Sequence, residues 1–210
     1  MDGSRYTCAV CRALDVAIAA IALSVCAPIL IVAAIAVRLE TDGPVVFRQR
    51  RLGRRRTPFV VYKLRTLRHG ADPAVHRDYI NSLLSGTEPE QPGLYKLTAD
   101  DRVTRVGRFL RRSSIDELPQ LVNVLRGEMS IVGPRPVIEY ESESYPPSYN
   151  RRFAVKPGMT GLWQVSGRSE RSYVEMLELD IEWAEQASVG LYLSIVARTP
   201  AALLRSSSAA

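Results

Sequence analysis

The sequence predicts an α+β fold, mainly helical, that is held at a membrane by its N-terminal segment. Residues 13–37 carry no charge except that of Asp15, and ~20 predominantly apolar residues suffice to cross the hydrocarbon core of a bilayer. The rest of the 210-residue chain, with its alternating short apolar runs and glycine- and proline-bearing turns, is typical of one small domain. We expect a membrane helix over residues 1–40, a cytoplasmic domain over 41–205 ending in membrane-associated helices, and a disordered tail over 206–210.

The membrane segment has Pro28 in its middle and basic residues on both flanks. Arg5 and Arg12 precede it, and Arg38 and the arginines of residues 48–56 follow it. Proline removes a backbone donor and kinks a helix, and the positive-inside rule favours the cytoplasm for basic flanks. A helix that breaks at Pro28 and returns to the same face satisfies both, so we expect a monotopic, re-entrant topology. A plain bitopic span is the alternative.

The remaining pattern predicts short strands and helices. Two apolar runs, 44–47 and 58–63, are separated by a turn around Gly53 and indicate a β-hairpin. Helical periodicity recurs in four segments: 74–84, 105–112, 118–125 and 172–186. Segments 127–136 and 157–161 have the composition of irregular turns. The last apolar stretch, 191–204, is interrupted by Pro200 and fits a helix lying along the membrane surface.

The charge balance indicates an anionic partner. The formal net charge is +6, and arginine supplies nearly all of the positive charge. Nucleic acid, an anionic lipid surface and a phosphorylated substrate all fit that balance. Cys8 and Cys11 have redox or zinc half-site spacing, but the sequence has no second pair to complete a metal site, and their function is left open. His69 and His76, the only histidines, fall in a predicted loop, which makes a histidine base unattractive.

The most informative stretch for chemistry is residues 111–120. Proline is tolerated only near a helix start, so Pro119 places Asp116 and Glu117 beside a helix N-terminus. An ionised aspartate is a competent nucleophile toward phosphorus, and a neighbouring glutamate can help to hold a divalent cation. The preceding Arg111 and Arg112 offer charge for phosphate oxygens. The structural alternative is a capping box from residue 114 to residue 117.

Two other features are candidates for binding. The turn of residues 133–136 presents Arg135 between two prolines, which pre-set the backbone and lower the cost of ordering it on a phosphate. Asp100 and Asp101 form an acidic pair of the kind that holds metal in many sugar-nucleotide transferases. Taken singly, each is better explained as an ordinary solvated turn. The sequence contains no P-loop and no dinucleotide-binding glycine fingerprint.

Taken together and in order, eight short motifs resemble the bacterial sugar transferase family, the monotopic phosphoglycosyl transferases. They are Gly43–Gln49 with Gly53, Tyr62–Thr66, Asp101–Gly107, Ser114–Gln120, Asn123–Ser130, Val132–Pro136, Lys156–Gly161 and Trp163–Arg168. The resemblance runs from about Arg12 to Thr199. It departs from the family pattern at Cys11, Ala27, Tyr192 and Ser194.

The resemblance implies roles for the matching residues. Asp116 would be the nucleophile and Glu117 its dyad partner, both at a magnesium (Mg²⁺) site. The residues expected to bind substrate are Arg111, Arg112, Pro134, Arg135, Pro136, Lys63 and Arg65. The family's helix is re-entrant, with its break at the position of Pro28.

The activity implied by the resemblance is transfer of a sugar-1-phosphate from a UDP-sugar to undecaprenyl phosphate, with release of UMP. It would pass through an aspartyl-phosphosugar and begin the membrane stage of exopolysaccharide, O-antigen or glycoconjugate assembly. The location would be the bacterial inner membrane, with the catalytic domain on the cytoplasmic face and with membrane lipids, not nucleic acid, as further partners.

Two alternatives remain at the level of sequence. One is a glycosyltransferase that uses Asp100 and Asp101 for metal and releases UDP. The other is a non-catalytic, membrane-anchored module that binds anions through its arginines. The sequence assigns neither the sugar, nor the pathway, nor the oligomeric state.

Overall fold

The computed structural model describes residues 2–68, 70, 101–143, 145–167 and 171–208. The helices in these residues are α1 (Asp2–Glu40), α2 (Arg105–Ser113), α3 (Gln120–Arg126), α4 (Glu139–Glu143), α5 (Leu162–Val165), α6 (Tyr173–Gln186) and α7 (Val189–Ser208). The strands are β1 (Val46–Leu52), β2 (Pro58–Leu64), β3 (Ser130–Val132) and β4 (Gly158–Thr160). Short 3₁₀ turns cover Arg54–Arg56, Ile115–Glu117 and Pro147–Ala154. The described residues are thus mostly helical with little sheet, which confirms the α+β, mainly helical prediction.

Strands β1 and β2 form the predicted hairpin. They pair antiparallel, with Val46 opposite Leu64 and Leu52 opposite Pro58. The 3₁₀ turn between them holds Arg55 and Arg56 at φ values of 55° and 60°, a region that non-glycine residues seldom adopt. The strands are longer than the apolar runs suggested, because polar residues such as Gln49 take part in the ladder.

Strands β3 and β4 pair in parallel, with Ser130 opposite Gly158 and Val132 opposite Thr160. The prediction that residues 127–136 and 157–161 are only irregular turns is therefore wrong at these strands. The pairing extends into a close backbone contact, because a Cβ at Gly133 would lie 2.4 Å from the carbonyl oxygen of Lys156. Glycine is required at that contact.

Helix α1 continues through Pro28 without a break in its helical assignment. By length and composition, residues Ala9–Glu40 of this helix are apolar enough to cross a membrane. Its central part is largely uncovered by the other described residues: six large apolar residues expose between 49% and 69% of their surface, namely Ile21, Val25, Ile29, Ile31, Val32 and Ile35. Such a band of apolar surface is typical of contact with lipid.

Both ends of α1 bind to the same domain. Near the N-terminus, the guanidinium of Arg12 donates to the carbonyl oxygens of Val124 (2.6 Å) and Leu125 (2.9 Å) at the end of α3. At the C-terminus, the carboxylate of Glu40 accepts from the backbone N–H groups that open α2 (2.7 and 3.0 Å). The middle of the helix is thus exposed, while its ends are held against the folded domain.

Asp15, the charged residue of the apolar segment, is buried in a polar contact. Its Oδ1 accepts from Ser130 Oγ (2.8 Å), from the backbone N–H of Ile131 (2.7 Å) and from the Tyr192 hydroxyl (2.9 Å). Three donors around one carboxylate oxygen offset the cost of burying the charge. Asp15 thereby joins α1, β3 and α7.

The predicted helices are found at α2, α3 and α6, and α6 is preceded by a capping box between Ser172 and Glu175. Helix α7 begins before the predicted stretch, continues through Pro200 and includes residues 206–208 of the predicted tail. The predicted helix over 74–84 lies outside the described residues, as do Asp100 and both histidines.

Candidate active site

The dyad of Asp116 and Glu117 lies in a single 3₁₀ turn between α2 and α3. Ser114 ends α2 in the left-handed conformation (φ 57°) and makes no side-chain cap. The capping-box alternative for residues 114–117 is therefore wrong, because the serine closes the preceding helix and does not open the next one. Pro119 stands at the start of α3, as predicted.

The two carboxylates differ in environment. Asp116 is 4% exposed, whereas the Glu117 side chain is 24% exposed and its Oε1 lies 3.0 Å from Lys63 Nζ. Because this ion pair is partly exposed, its contribution to stability is below ~1 kcal/mol. Its effect is to hold the glutamate, and so the 3₁₀ turn, against strand β2.

The side chain of Arg111, in the helix that precedes the dyad, is held by a residue of another segment. Its Nε donates to Thr66 Oγ1 at 2.9 Å, and the backbone of Thr66 accepts from the N–H of Thr104 at 3.1 Å. Gly107 makes the close approach possible, because a Cβ there would lie 2.1 Å from the carbonyl oxygen of Thr66. Arg112, the last arginine of α2, is exposed.

An apolar cluster, here called the interface cluster, connects the dyad to the membrane helix. Its members come from α1, the residue before β1, β2, α2 and the 3₁₀ turn: Ala33, Val37, Leu64 and Leu110 are buried, with Leu30, Val45, Val106 and Ile115 packed against them. Ile115 directly precedes Asp116. The nucleophile candidate is thus fixed next to the C-terminal half of α1, close to the point where the apolar segment ends.

The turn of residues 133–136, here called the Arg135 turn, is fixed through its backbone. The N–H of Gly158 donates to Pro134 O (2.8 Å), and the N–H of Arg135 donates to Asp180 Oδ2 (3.2 Å). Arg152, which is buried, donates to Arg135 O (2.8 Å) and forms an ion pair with Asp180. Burial raises the pKa of Asp180 to about 6, even though Arg152 opposes the shift.

The guanidinium of Arg135 is directed at a buried glutamate. It donates to the two oxygens of Glu141 at 2.7 and 3.4 Å. Burial alone would lower the pKa of Arg135, but the charge of Glu141 outweighs it and raises that pKa. Tyr173 also donates to Glu141 (3.3 Å). Contact between Arg135 and a phosphate stays a prediction. In such a contact the guanidinium would bind the phosphate and Glu141 at the same time.

Two other predicted binding residues have structural partners. Arg65 donates to the carbonyl oxygens of Thr41 (2.8 Å) and Asp42, just after the end of α1. Pro136 O accepts from the Arg51 guanidinium at 2.7 Å. The structure therefore brings Lys63 to Glu117 of the dyad, fixes Arg111 against Thr66 and places Arg65 at the end of α1.

Arg51 is a residue that the sequence reasoning missed. It is 8% exposed, and the charges that act on it include those of Arg135, Glu141 and Glu117. Burial, together with the charge of Arg135, lowers its pKa to about 10. In the sequence it is one of many arginines in residues 48–56, and only its pairing across 85 residues with Pro136 distinguishes it.

The donor set at the dyad fits magnesium. Mg²⁺ is usually held by one or two carboxylates together with substrate phosphates and water, and Asp116 and Glu117 are adjacent carboxylates. Among the described residues no cluster of three or more His, Cys, Asp or Glu side chains could hold a metal by itself. A cation at this site would take its remaining ligands from substrate.

Comparison with known proteins shows the family of the chain. Residues 6–206 match the family described as bacterial sugar transferase. A UDP-glucose:undecaprenyl-phosphate glucose-1-phosphate transferase of Caulobacter vibrioides is 42% identical over 206 residues, covering 94% of this chain and 71% of that protein. The exopolysaccharide production protein ExoY of Sinorhizobium fredii is 39% identical, covering 90% of this chain and 82% of that protein.

A longer relative matches only in part. The undecaprenyl-phosphate galactose phosphotransferase of Salmonella typhimurium is 38% identical, covering 78% of this chain but 34% of its own length. These matches define an enzyme of the sugar-phosphate transferase class. The chain belongs to the bacterial sugar transferase family.

The close packing at Gly107 predicts the effect of a single methyl group. Gly107→Ala should lower the free energy of unfolding by about 2 kcal/mol, because α2 must move away from Thr66. The same movement takes Arg111 from its partner, so activity should fall as well. The check is the thermal unfolding midpoint in detergent together with the transfer rate.

Gly190→Ala is the matched control, since no described residue lies within 4 Å of a Cβ at that helical position. It should leave the free energy of unfolding unchanged or raise it by up to about 1 kcal/mol. The thermal midpoint should therefore not fall. Equal midpoints for the two variants would contradict the packing argument.

Proposed function

We propose that this enzyme transfers a sugar-1-phosphate from a UDP-sugar to undecaprenyl phosphate and releases UMP. The observation that carries the proposal is the position of the buried Asp116, which follows Ile115 of the interface cluster and so lies next to the membrane helix. A lipid acceptor keeps its phosphate at the membrane surface. A phosphosugar attached to Asp116 beside α1 would lie within reach of that phosphate. The activities for which the Caulobacter and Salmonella relatives are named support the same chemistry.

The proposed first step is attack by a carboxylate oxygen of Asp116 on the sugar-bearing phosphorus. The bond from that phosphorus to the bridging oxygen breaks, and UMP leaves with the electron pair. This gives an aspartyl-phosphosugar. In the second step a phosphate oxygen of the polyprenyl phosphate attacks the same phosphorus, which forms a diphosphate-linked lipid sugar and frees the carboxylate of Asp116.

The side chains around the dyad provide positive charge for both steps. Lys63 is paired with Glu117 and Arg111 is held by Thr66, so both are positioned before substrate arrives. Preorganised charge of this kind lowers the energy of a transition state that concentrates negative charge on phosphoryl oxygens. Magnesium bound by Asp116 and Glu117 would add further neutralisation of those oxygens.

We further infer that α1 is re-entrant, bending near Pro28 so that both ends lie on the cytoplasmic face of the inner membrane. The contacts of Arg12 with the end of α3, and of Glu40 with the start of α2, support this topology. A simple span would carry Arg12 and Asp15 to the opposite side from the residues that bind them. The exposed apolar middle of the helix is the part that would enter the bilayer.

Nucleotide release distinguishes the possible reactions. Purified enzyme in detergent, with magnesium and a panel of UDP-sugars, should release at most about one equivalent of UMP per enzyme without lipid, and should turn over repeatedly only when undecaprenyl phosphate is present. Asp116→Asn should lower that release by about a thousandfold or more, because an amide cannot serve as the nucleophile. The measurement is chromatographic separation of UMP from UDP, and EDTA should stop the reaction until magnesium is restored.

Release of UDP would contradict the proposal and favour a glycosyltransferase. Unchanged UMP release by Asp116→Asn would remove this residue from the chemistry. A protein that releases no nucleotide with any donor, but binds anionic lipid in a salt-sensitive way, would fit the non-catalytic module.

The re-entrant topology predicts that residues before α1's apolar part and residues of the hairpin turn are on the same side. Ser4→Cys and Arg55→Cys, each in a background in which the three native cysteines are serine, should resist an impermeant maleimide in intact spheroplasts. Both should react after permeabilisation. Labelling of Ser4→Cys from outside, with Arg55→Cys protected, would establish a plain span.

A further inference from the structure

Arg51 is fixed by three contacts that use its whole guanidinium. Nε and one terminal nitrogen both donate to Gln49 Oε1, at 3.0 and 2.6 Å, and the other terminal nitrogen donates to Pro136 O at 2.7 Å. That same nitrogen lies 3.9 Å from Glu141 Oε1. Arg51 therefore contacts the Arg135 turn in two ways. It binds the backbone oxygen of Pro136 directly, and it lies near Glu141, which binds the guanidinium of Arg135.

The same face of the hairpin also holds the dyad. Side chains alternate along a strand, and residues directly opposite each other point to one face. Gln49 and Arg51 therefore share a face with Phe47, which is opposite Lys63 in the register. Lys63 binds Glu117 from this face, while Arg51 binds the Arg135 turn from it. One rigid two-stranded unit thus contacts both halves of the site.

We propose that Arg51 is a positioning residue that sets the Arg135 turn at a fixed distance from the Asp116–Glu117 dyad. A nucleoside-diphosphate sugar needs both parts at once, because its sugar-bearing phosphorus must meet Asp116 while its nucleotide end is bound elsewhere. Small errors in such spacing are costly in rate and affinity. The inference rests on the proposed function for the identity of the ligand and extends it to a residue that touches no substrate.

The geometry requires arginine in particular. Three donors in a planar fork reach Gln49 and Pro136 simultaneously, and a lysine ammonium on its flexible stem cannot reproduce that arrangement. Burial of a cation near Arg135 is electrostatically unfavourable, which agrees with the lowered pKa of Arg51. A side chain that only filled space would not need to be charged at this position.

The test compares Arg51→Lys with Arg50→Lys, an exposed neighbour on the opposite face of the same strand. Arg51→Lys should raise the KM for the UDP-sugar and the Kd for UDP by about tenfold each. The KM for undecaprenyl phosphate should change by less than about twofold. Arg50→Lys should change the two KM values and the Kd for UDP by less than about twofold each.

Gln49→Leu is the second variant, because it keeps the charge of Arg51 but removes the acceptor of two of its N–H groups. It should weaken UDP binding in the same direction as Arg51→Lys. Thermal unfolding midpoints report folding separately, so a loss of UDP affinity at an unchanged midpoint supports positioning.

Equal UDP affinity in wild type, Arg51→Lys and Gln49→Leu would overturn the inference, as would a failure of the wild-type enzyme to bind UDP. A parallel loss of midpoint, UDP affinity and lipid affinity would show a merely structural role and also overturn it. If the wild type released no UMP but the difference in UDP Kd remained, the proposed function would fail while Arg51 kept its positioning role.

Discussion

The structure depends on a buried charge within an apolar helix. Asp15 lies in a segment that otherwise avoids charge, and it is stabilised only because β3 and α7 bring three donors to one of its oxygens. An unpaired carboxylate in that environment would cost several kcal/mol. The membrane helix and the folded domain are therefore not independent units joined by a linker. Each completes the hydrogen bonding of the other.

This dependence extends to the site. Strand β3, whose Ile131 binds Asp15, leads directly into the Arg135 turn. At the other end of the helix, Ala33 and Val37 pack in the interface cluster with Ile115, the residue before Asp116. The two parts of the site are thus each attached to a different half of α1. An enzyme acting on a lipid phosphate needs its site at a fixed depth, and these attachments provide a physical means for it.

Buried ions give the Arg135 turn its shape. Arg51, Arg135 and Arg152 are close to Glu141 and Asp180, all largely removed from water. Buried ion pairs add little net stability because desolvation opposes their attraction, yet they strongly disfavour arrangements that leave one partner alone. The elevated pKa of Asp180 reflects that desolvation. These buried ion pairs therefore fix the geometry of the Arg135 turn and add little to stability.

Local patterns predicted the local elements. The hairpin, α2, α3 and α6 follow from periodicity and turn residues that lie within each segment. The parallel pair β3–β4 was missed because each strand has three residues and its partner is 28 positions away, so no local signal exists. The partners of Arg51, Arg65 and Arg135 are likewise distant or hidden among many similar arginines and glutamates. Asp116 and Glu117 became candidates because Pro119 marks a helix start beside them, and the resemblance then supplied their proposed roles.

The proposed mechanism requires Asp116 to become covalently attached to a phosphosugar. Intact-protein mass spectrometry of the enzyme mixed with its UDP-sugar and magnesium, in the absence of lipid acceptor, tests it most directly. We expect a mass increase equal to one sugar phosphate less water, located on the peptide that contains Asp116. The increase should be lost when undecaprenyl phosphate is added. An adduct on another residue, or complete lipid-dependent turnover by Asp116→Asn, would contradict it.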